Sequence, residues 1–411
     1  MHIRGLDWER SFQYKIPNTV KPGLYSLLLS AEGQEPFAIP MIVSTRARGY
    51  KTKLLVLAST NTWQSYNIWG GRSRYRSFEN DVSPNFMTLP KNPLARLKRA
   101  IFNRIPDQSK AMLRKWLGMK PVSYEWRFQK LTIHRPFTNC QLEGDNWIEP
   151  FTNHLAGGEW RLLAWLEKEN IQYDIISGAE LHQTPDILKH YKAIIFSTHC
   201  EYWTREMYEG IKKYHENNQL WLLNLSGNTM YREIEFFDDG STRCVSLSFA
   251  NSCADETQLL GVRFSMADYS TCAPYKILKP EHWAFKGLPI NKEFPFFGGI
   301  SLNQNTLKKY SRYDPGRPGV ENGLCGMGAS GWETDKLSRT APKDFQIIAK
   351  GTNPRGGADM VVREPHGTKK RGGVFSASSL VFSGSLGVDF VCSLIVKNVI
   401  DRALDGPESK L

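Results

Sequence analysis

Long apolar runs are missing from this chain: no stretch approaches the ~20 residues that a membrane-spanning helix needs. Cysteine is sparse and scattered. The seven residues Cys140, Cys200, Cys244, Cys253, Cys272, Cys325 and Cys392 contain no CxxC pair. That spacing argues against a disulfide framework and against a zinc ribbon, and leaves reduced thiols as the expectation. The first residues, Met1-His2-Ile3-Arg4-Gly5-Leu6-Asp7-Trp8-Glu9, carry charge where a signal peptide would carry its apolar core. A cytoplasmic location is therefore expected. Acidic residues are scarce in one place: between Lys91 and Lys120 nine basic residues face Asp107 alone, which accounts for two thirds of the net charge of +12. The rest of the chain is close to neutral. Because the charge is confined to one segment without a recognition motif, nucleic acid is not the expected partner.

That basic segment also carries Leu94, Leu97, Ile101, Met112, Leu113, Trp116 and Leu117 at roughly helical spacing on either side of Pro106. It reads as a helical insert over 91–120, with a cationic face that is either solvated or laid against an anionic surface or partner.

What is abundant is apolar and aromatic. The 411 residues are 41% hydrophobic and 12% aromatic, enough for a large core. Residues 8–44 read as β structure, with strands at Ser11–Ile16, Leu24–Leu29 and Phe37–Val43; three strands cannot bury both faces, so 1–50 leans on the next unit or is the remnant of an upstream sandwich. Lys53–Thr60 is a buried-type strand that exits into the aromatic loop Asn61–Tyr75. A doubly wound pattern follows: helix Glu159–Glu169, strand Tyr173–Ile176, helical connection Ala179–His190, strand Ala193–Thr198, helix Arg205–His215 and strand Leu220–Leu225. Strands alternating with helices of this length imply βαβ units and a mostly parallel sheet. The expected architecture is thus an α/β unit over 51–411, with a β-rich elaboration over 233–370 and a closing strand and helix at Gly373–Phe382 and Phe390–Leu404.

In open α/β sheets ligands bind where strands run out at their carboxyl ends. Three exits carry polar groups: Thr60–Tyr75, His199-Cys200-Glu201-Tyr202-Trp203-Thr204 and Ser226-Gly227-Asn228. Tyr66, His199, Glu201 and Asn228 are expected to meet there. Cys200 follows a strand and precedes a helix, as a nucleophile would. However, His199 is its sequence neighbour and faces the other way in extended chain, and no G-x-C-x-G turn is present.

The motifs Thr62-Trp63-Gln64-Ser65-Tyr66-Asn67-Ile68-Trp69-Gly70-Gly71, Arg135-Pro136-Phe137, His199-Cys200-Glu201-Tyr202-Trp203-Thr204, Gly227-Asn228 and Val374-Phe375-Ser376-Ala377-Ser378-Ser379 follow one another in this order. Together they resemble the C-terminal region of the large subunit of N,N-dimethylformamidase. The resemblance implies an α/β core related to class I glutamine amidotransferases. It also implies hydrolysis of the C–N bond of a small N-substituted amide, and a mononuclear iron, Fe3+, held by two tyrosinates and a glutamate. Carried over residue by residue, Glu201 is the carboxylate ligand, Tyr66 one tyrosinate, and Tyr124 the second, with Tyr75 as its competitor. His199 and Asn228 become groups that polarise the substrate or support the ligands. A homo-oligomer or a small companion subunit is the implied assembly. The other reading of the same residues is a non-catalytic protein that uses its loop aromatics to bind a glycan or a partner.

Overall fold

The computed structural model describes residues 2–5, 9, 12–34, 36–75, 128–137, 154–246, 255–269, 271–288, 295–299, 328–365 and 371–406. The basic insert over 91–120 and Tyr124 lie outside the described residues.

The strands are β1 (Gly23–Leu29), β2 (Phe37–Val43), β3 (Leu54–Ala58), β4 (Leu131–Thr132), β5 (Asp174–Ser177), β6 (Ala193–Thr198), β7 (Tyr202–Trp203), β8 (Trp221–Ser226), β9 (Arg232–Phe236) and β10 (Ser241–Ser246). They continue with β11 (Val262–Ser265), β12 (Cys272–Ala273), β13 (Tyr275–Ile277), β14 (Phe296–Phe297), β15 (Ser330–Gly331), β16 (Thr334–Leu337), β17 (Gln346–Gly351), β18 (Asp359–Arg363) and β19 (Val374–Ser376). The helices that matter here are α1 (Thr60–Tyr66), α2 (Ala156–Lys168), α3 (Gly178–Gln183), α4 (Arg205–Asn217), α5 (Glu256–Leu260), α6 (Phe382–Ser385) and α7 (Phe390–Asp405).

Nine strands form the central sheet in the order β14-β13-β17-β18-β19-β8-β6-β3-β5. From β19 to β5 every pairing is parallel, and from β14 to β19 every pairing is antiparallel. The parallel half behaves as its sequence demands. Strands covered on both faces read as continuous apolar runs, and β3 does so with all five residues buried. Leu54, Val56 and Ala58 point to one face, where they join Leu162, Leu163 and Leu166 of α2 and Ile395, Val396 and Val399 of α7. Leu55 and Leu57 point to the other, against Met207, Tyr208 and Ile211 of α4. Each such fully buried aliphatic side chain contributes about 1.5–3 kcal/mol. Helix α4 starts where it does because the Thr204 side chain accepts the Met207 N–H, a hydroxyl cap for an otherwise orphan donor.

Three expectations change. A mostly parallel sheet is half antiparallel, because the segment expected to elaborate the α/β unit contributes β13, β14, β17 and β18 to the same sheet. Residues 12–16 hold no strand, so β1 and β2 form a two-stranded hairpin; it leans on α2, where the Trp160 indole donates to the Leu24 carbonyl at 2.9 Å. The aromatic loop after β3 begins as helix α1 rather than as irregular chain. Among the described residues no helix is long and apolar enough to cross a membrane.

Candidate active site

Parallel strands β3, β6, β8 and β19 open on one edge, and the side chains of interest leave from there. Helix α1 starts directly after β3 and is pinned by a buried carboxyl: Glu159 of α2 accepts the Ser59 N–H and the Trp63 indole N–H, each at 3.1 Å. Tyr66 ends that helix. The following loop is folded around the guanidinium of Arg135, which donates to the carbonyls of Gln64, Asn67, Trp69 and Arg72 at 2.9–3.1 Å. Five donors on a planar fork can satisfy several loop carbonyls at once. Their effect is to bring Tyr75 back over Tyr66, with the rings stacked at 4.2 Å.

At the end of β6 the register Thr198↔Ser226 sets His199 beside Gly227, and His199 Nδ1 lies 3.2 Å from the Gly227 carbonyl. Thr198, β-branched, has φ 57°, and Asn228 after β8 has φ 56°. Non-glycine residues in this region carry strain and persist only where their surroundings hold them. Gly227 leaves no room for a side chain: a Cβ there would lie 2.5 Å from both the Glu333 carbonyl oxygen and the Leu380 nitrogen.

Glu201 is the centre of the constellation. Its Oε1 accepts from Arg232 Nε at 3.0 Å. Its Oε2 is 2.8 Å from the Tyr75 hydroxyl, 3.2 Å from the Tyr66 hydroxyl and 3.2 Å from His199 Nε2, while Tyr66 Oη and His199 Nε2 are 3.1 Å apart. The Tyr202 hydroxyl donates to Tyr75 Oη at 2.7 Å. His154 closes the group, its ring edge-on to those of Tyr66 and His199.

Burial would raise the Glu201 carboxyl, but the hydrogen bond and charge of His199 and the charge of Arg232 outweigh it and hold the group at about 2. Burial works against the charged form of His199, and hydrogen bonding to Glu201 with the charges of Glu333 and Glu201 reverses that, so the imidazole is raised. Burial and the Glu201 charge push the Tyr66 phenol well above its usual range. Its ionisation therefore needs a positive charge at the cluster.

On the other side of the imidazole sits a second buried carboxyl. Glu333, just before β16, has Oε2 3.9 Å from His199 Nδ1 and accepts from Asn228 Nδ2 at 2.8 Å. Burial, with the Glu201 charge adding to it, raises the Glu333 carboxyl despite the nearby His199. Asp335, two residues on and on the same side of the strand, accepts the Asn228 N–H at 2.9 Å, and burial followed by the Glu333 charge lifts it to about 7. Asn228 Oδ1 is buried without a donor among the described residues.

Of the residues named from sequence, Tyr66, His199 and Glu201 are thus in mutual contact, and among the described residues Asn228 reaches them through Glu333. Tyr75 stands in the position of a second phenol. Cys200 takes no part: it is buried, and burial pushes its thiol up to about 12. Arg232, Glu333, Asp335, Tyr202 and His154 were not singled out. Tyr202 lies inside the His-x-Glu-Tyr-Trp motif, but Glu333 and Asp335 stand in irregular polar sequence that gives no signal.

Among the described residues no set of three or more His, Cys, Asp and Glu side chains is arranged to hold a metal ion; the converging oxygens here come from two phenols and one carboxylate. Those are hard donors that suit a small, highly charged cation such as ferric iron. Donor atoms roughly 2 Å from a common ion lie about 3 Å from one another, and the spacings of 2.8 and 3.2 Å around Glu201 Oε2 meet that condition. The donor set fits.

The fold and site define a mixed α/β protein with an oxygen-rich, buried polar centre at the carboxyl edge of its parallel strands. The chain belongs to the family N,N-dimethylformamidase beta subunit-like, C-terminal, whose model matches residues 2–397. Membership supports an amidohydrolase in the broad sense. No curated protein matches the chain. Among solved structures it is similar to a putative ThuA-like protein from Bacteroides uniformis ATCC 8492, at 12% identity over 62% of this chain and 86% of that one, with a TM-score of 0.34; that likeness is too distant to carry an argument.

Proposed function

We propose that this protein hydrolyses the C–N bond of a small N-substituted amide at an iron site held by Tyr66, Tyr75 and Glu201. The observation that carries the proposal is the convergence of two phenols on one oxygen of a buried carboxylate whose other oxygen is reserved by Arg232. Family membership supports the reaction class. Tyr75 takes the place of the second tyrosinate on the strength of its 2.8 Å contact. Iron in that position supplies Lewis acidity toward a carbonyl oxygen and a water.

The chain's own residues divide the remaining work. His199 lies between two acceptors, the Gly227 carbonyl at Nδ1 and Glu201 Oε2 at Nε2, and its Nε2 also touches the Tyr66 hydroxyl. Glu333, whose carboxyl burial raises, lies at the edge of the site and in its protonated form can deliver a proton to the departing nitrogen, the group that C–N cleavage must protonate. Asn228 orients Glu333 through Nδ2. Its open Oδ1 would accept an N–H of the amide or the amine product. His199 and Glu201 are each 1% exposed, and burial strengthens their contacts.

The same reading includes the kinship of the α/β unit with class I glutamine amidotransferases, supported by five parallel strands with helices on both faces. It also includes a companion subunit, supported by the words "beta subunit-like" in the family description. The test is metal content and visible spectrum of protein purified without chelator, followed by a panel of N-substituted formamides and acetamides. Bound iron with hydrolysis of any member is the expected result; metal-free protein that cleaves none would sink the proposal.

A further inference from the structure

The two phenols of the site are not equivalent. Tyr75 has a single proton, and its contact with Glu201 Oε2 is to an oxygen that can only accept, so that proton is committed to Glu201. The 2.7 Å contact between the Tyr202 and Tyr75 hydroxyls must then be donated by Tyr202. Tyr66 meets different partners, with His199 Nε2 at 3.1 Å and Glu201 Oε2 at 3.2 Å.

Tyr202 is also held firmly enough to do this reliably. It is 1% exposed, it shares a small buried cluster with Ile234 and Cys244, and the Arg74 guanidinium lies over its ring at 5.9 Å. Arg74 is itself fixed by bonds to Ser65 and Thr242. In the parallel pairing of β7 with β9, Tyr202 is the register partner of Arg232. One short strand pair therefore presents both outer donors, Arg232 to Glu201 and Tyr202 to Tyr75.

We propose that Tyr202 is a positioning residue that acts on iron through Tyr75: its hydroxyl donates to the Tyr75 oxygen and makes Tyr75 a weaker phenolate donor than it would be without that bond. This rests on the iron reading above. A hydrogen bond donated to an anionic oxygen stabilises its electron pairs, and partners of this outer kind tune a metal through its ligands. Tyr202→Phe removes only the hydroxyl and keeps the buried ring.

The experiment compares the visible tyrosinate-to-iron charge-transfer band of the iron-loaded wild type, Tyr202→Phe, Tyr75→Phe and the Tyr75→Phe/Tyr202→Phe double variant. Near-UV circular dichroism serves as the check on folding. Tyr202→Phe is expected to move the band to longer wavelength, and the double variant to match Tyr75→Phe. An unmoved band in folded, iron-loaded Tyr202→Phe overturns the assignment, as does a further shift when Tyr202→Phe is added to Tyr75→Phe. Iron-loaded wild type with no such band would remove the iron reading itself, and the role of Tyr202 with it.

Discussion

Glu201 and Glu333 are both buried carboxyls that flank one imidazole, yet their surroundings drive them apart. Glu201 faces Arg232 and His199, which stabilise its anion. Glu333 faces an amide and sits within reach of the Glu201 charge, and burial prevails there, so its hold on a proton is raised. Pairs of titratable groups separated in this way mark an acid and a charged partner in one site. The lesson is that the residues bound around each carboxyl, not the carboxyl itself, decide which one can hold a cation and which one can hold a proton.

Exchanging the first carboxyl should have the largest effect. Glu201→Gln is expected to lose bound iron and to reduce amide hydrolysis to background while the protein stays folded, as judged by metal analysis and circular dichroism. Glu333→Gln is expected to keep its iron and to lower kcat by about 10²–10⁴-fold, the usual contribution of a general acid or base. Equal iron loss in both variants would erase the distinction between the two groups.

A third buried carboxyl, Glu159, is the control, held by the N–H groups of Ser59 and Trp63. Burial, against hydrogen bonds from Ser59 and Trp63, raises it to about 8. The folded state then holds this proton more tightly than the unfolded state does. Its contribution to stability is complete below the unfolded value near 4.5 and is lost as pH rises toward 8, a change on the order of 4 kcal/mol. Denaturant unfolding should show the wild type weakening between pH 5 and 8, and Glu159→Gln should flatten that slope. The smallest effect is expected from Gly227→Ala, which presses on the Glu333 backbone. It should cost about 1–3 kcal/mol in overpacking, and, if Glu333 acts as described, lower kcat more than it changes iron content.

The parallel half of the fold was legible because fully buried strands leave unbroken apolar runs: Ala193–Thr198 reads the same from sequence and in the structure. The antiparallel half was not, since β13, β14 and β18 are short and separated by polar, glycine-rich chain that carries no clear period. The site divides in the same way. His199 and Glu201 follow directly on a legible strand, and Tyr66 ends the segment that leaves another. Glu333 and Asp335 reach the site through Thr334, which bridges to Ser379 after β19, a long-range pairing that no local pattern announces. Arg232 was hidden for a related reason: it meets Glu201 only because β7 and β9 pair side by side.

The central claim is that two phenols and Glu201 hold iron. The most direct measurement is iron content with the visible spectrum of protein purified without chelator, for the wild type beside Glu201→Gln. Near-stoichiometric iron and a tyrosinate charge-transfer band in the wild type, both absent from Glu201→Gln, are the expected result; wild-type protein that takes up no iron and shows no band would contradict it.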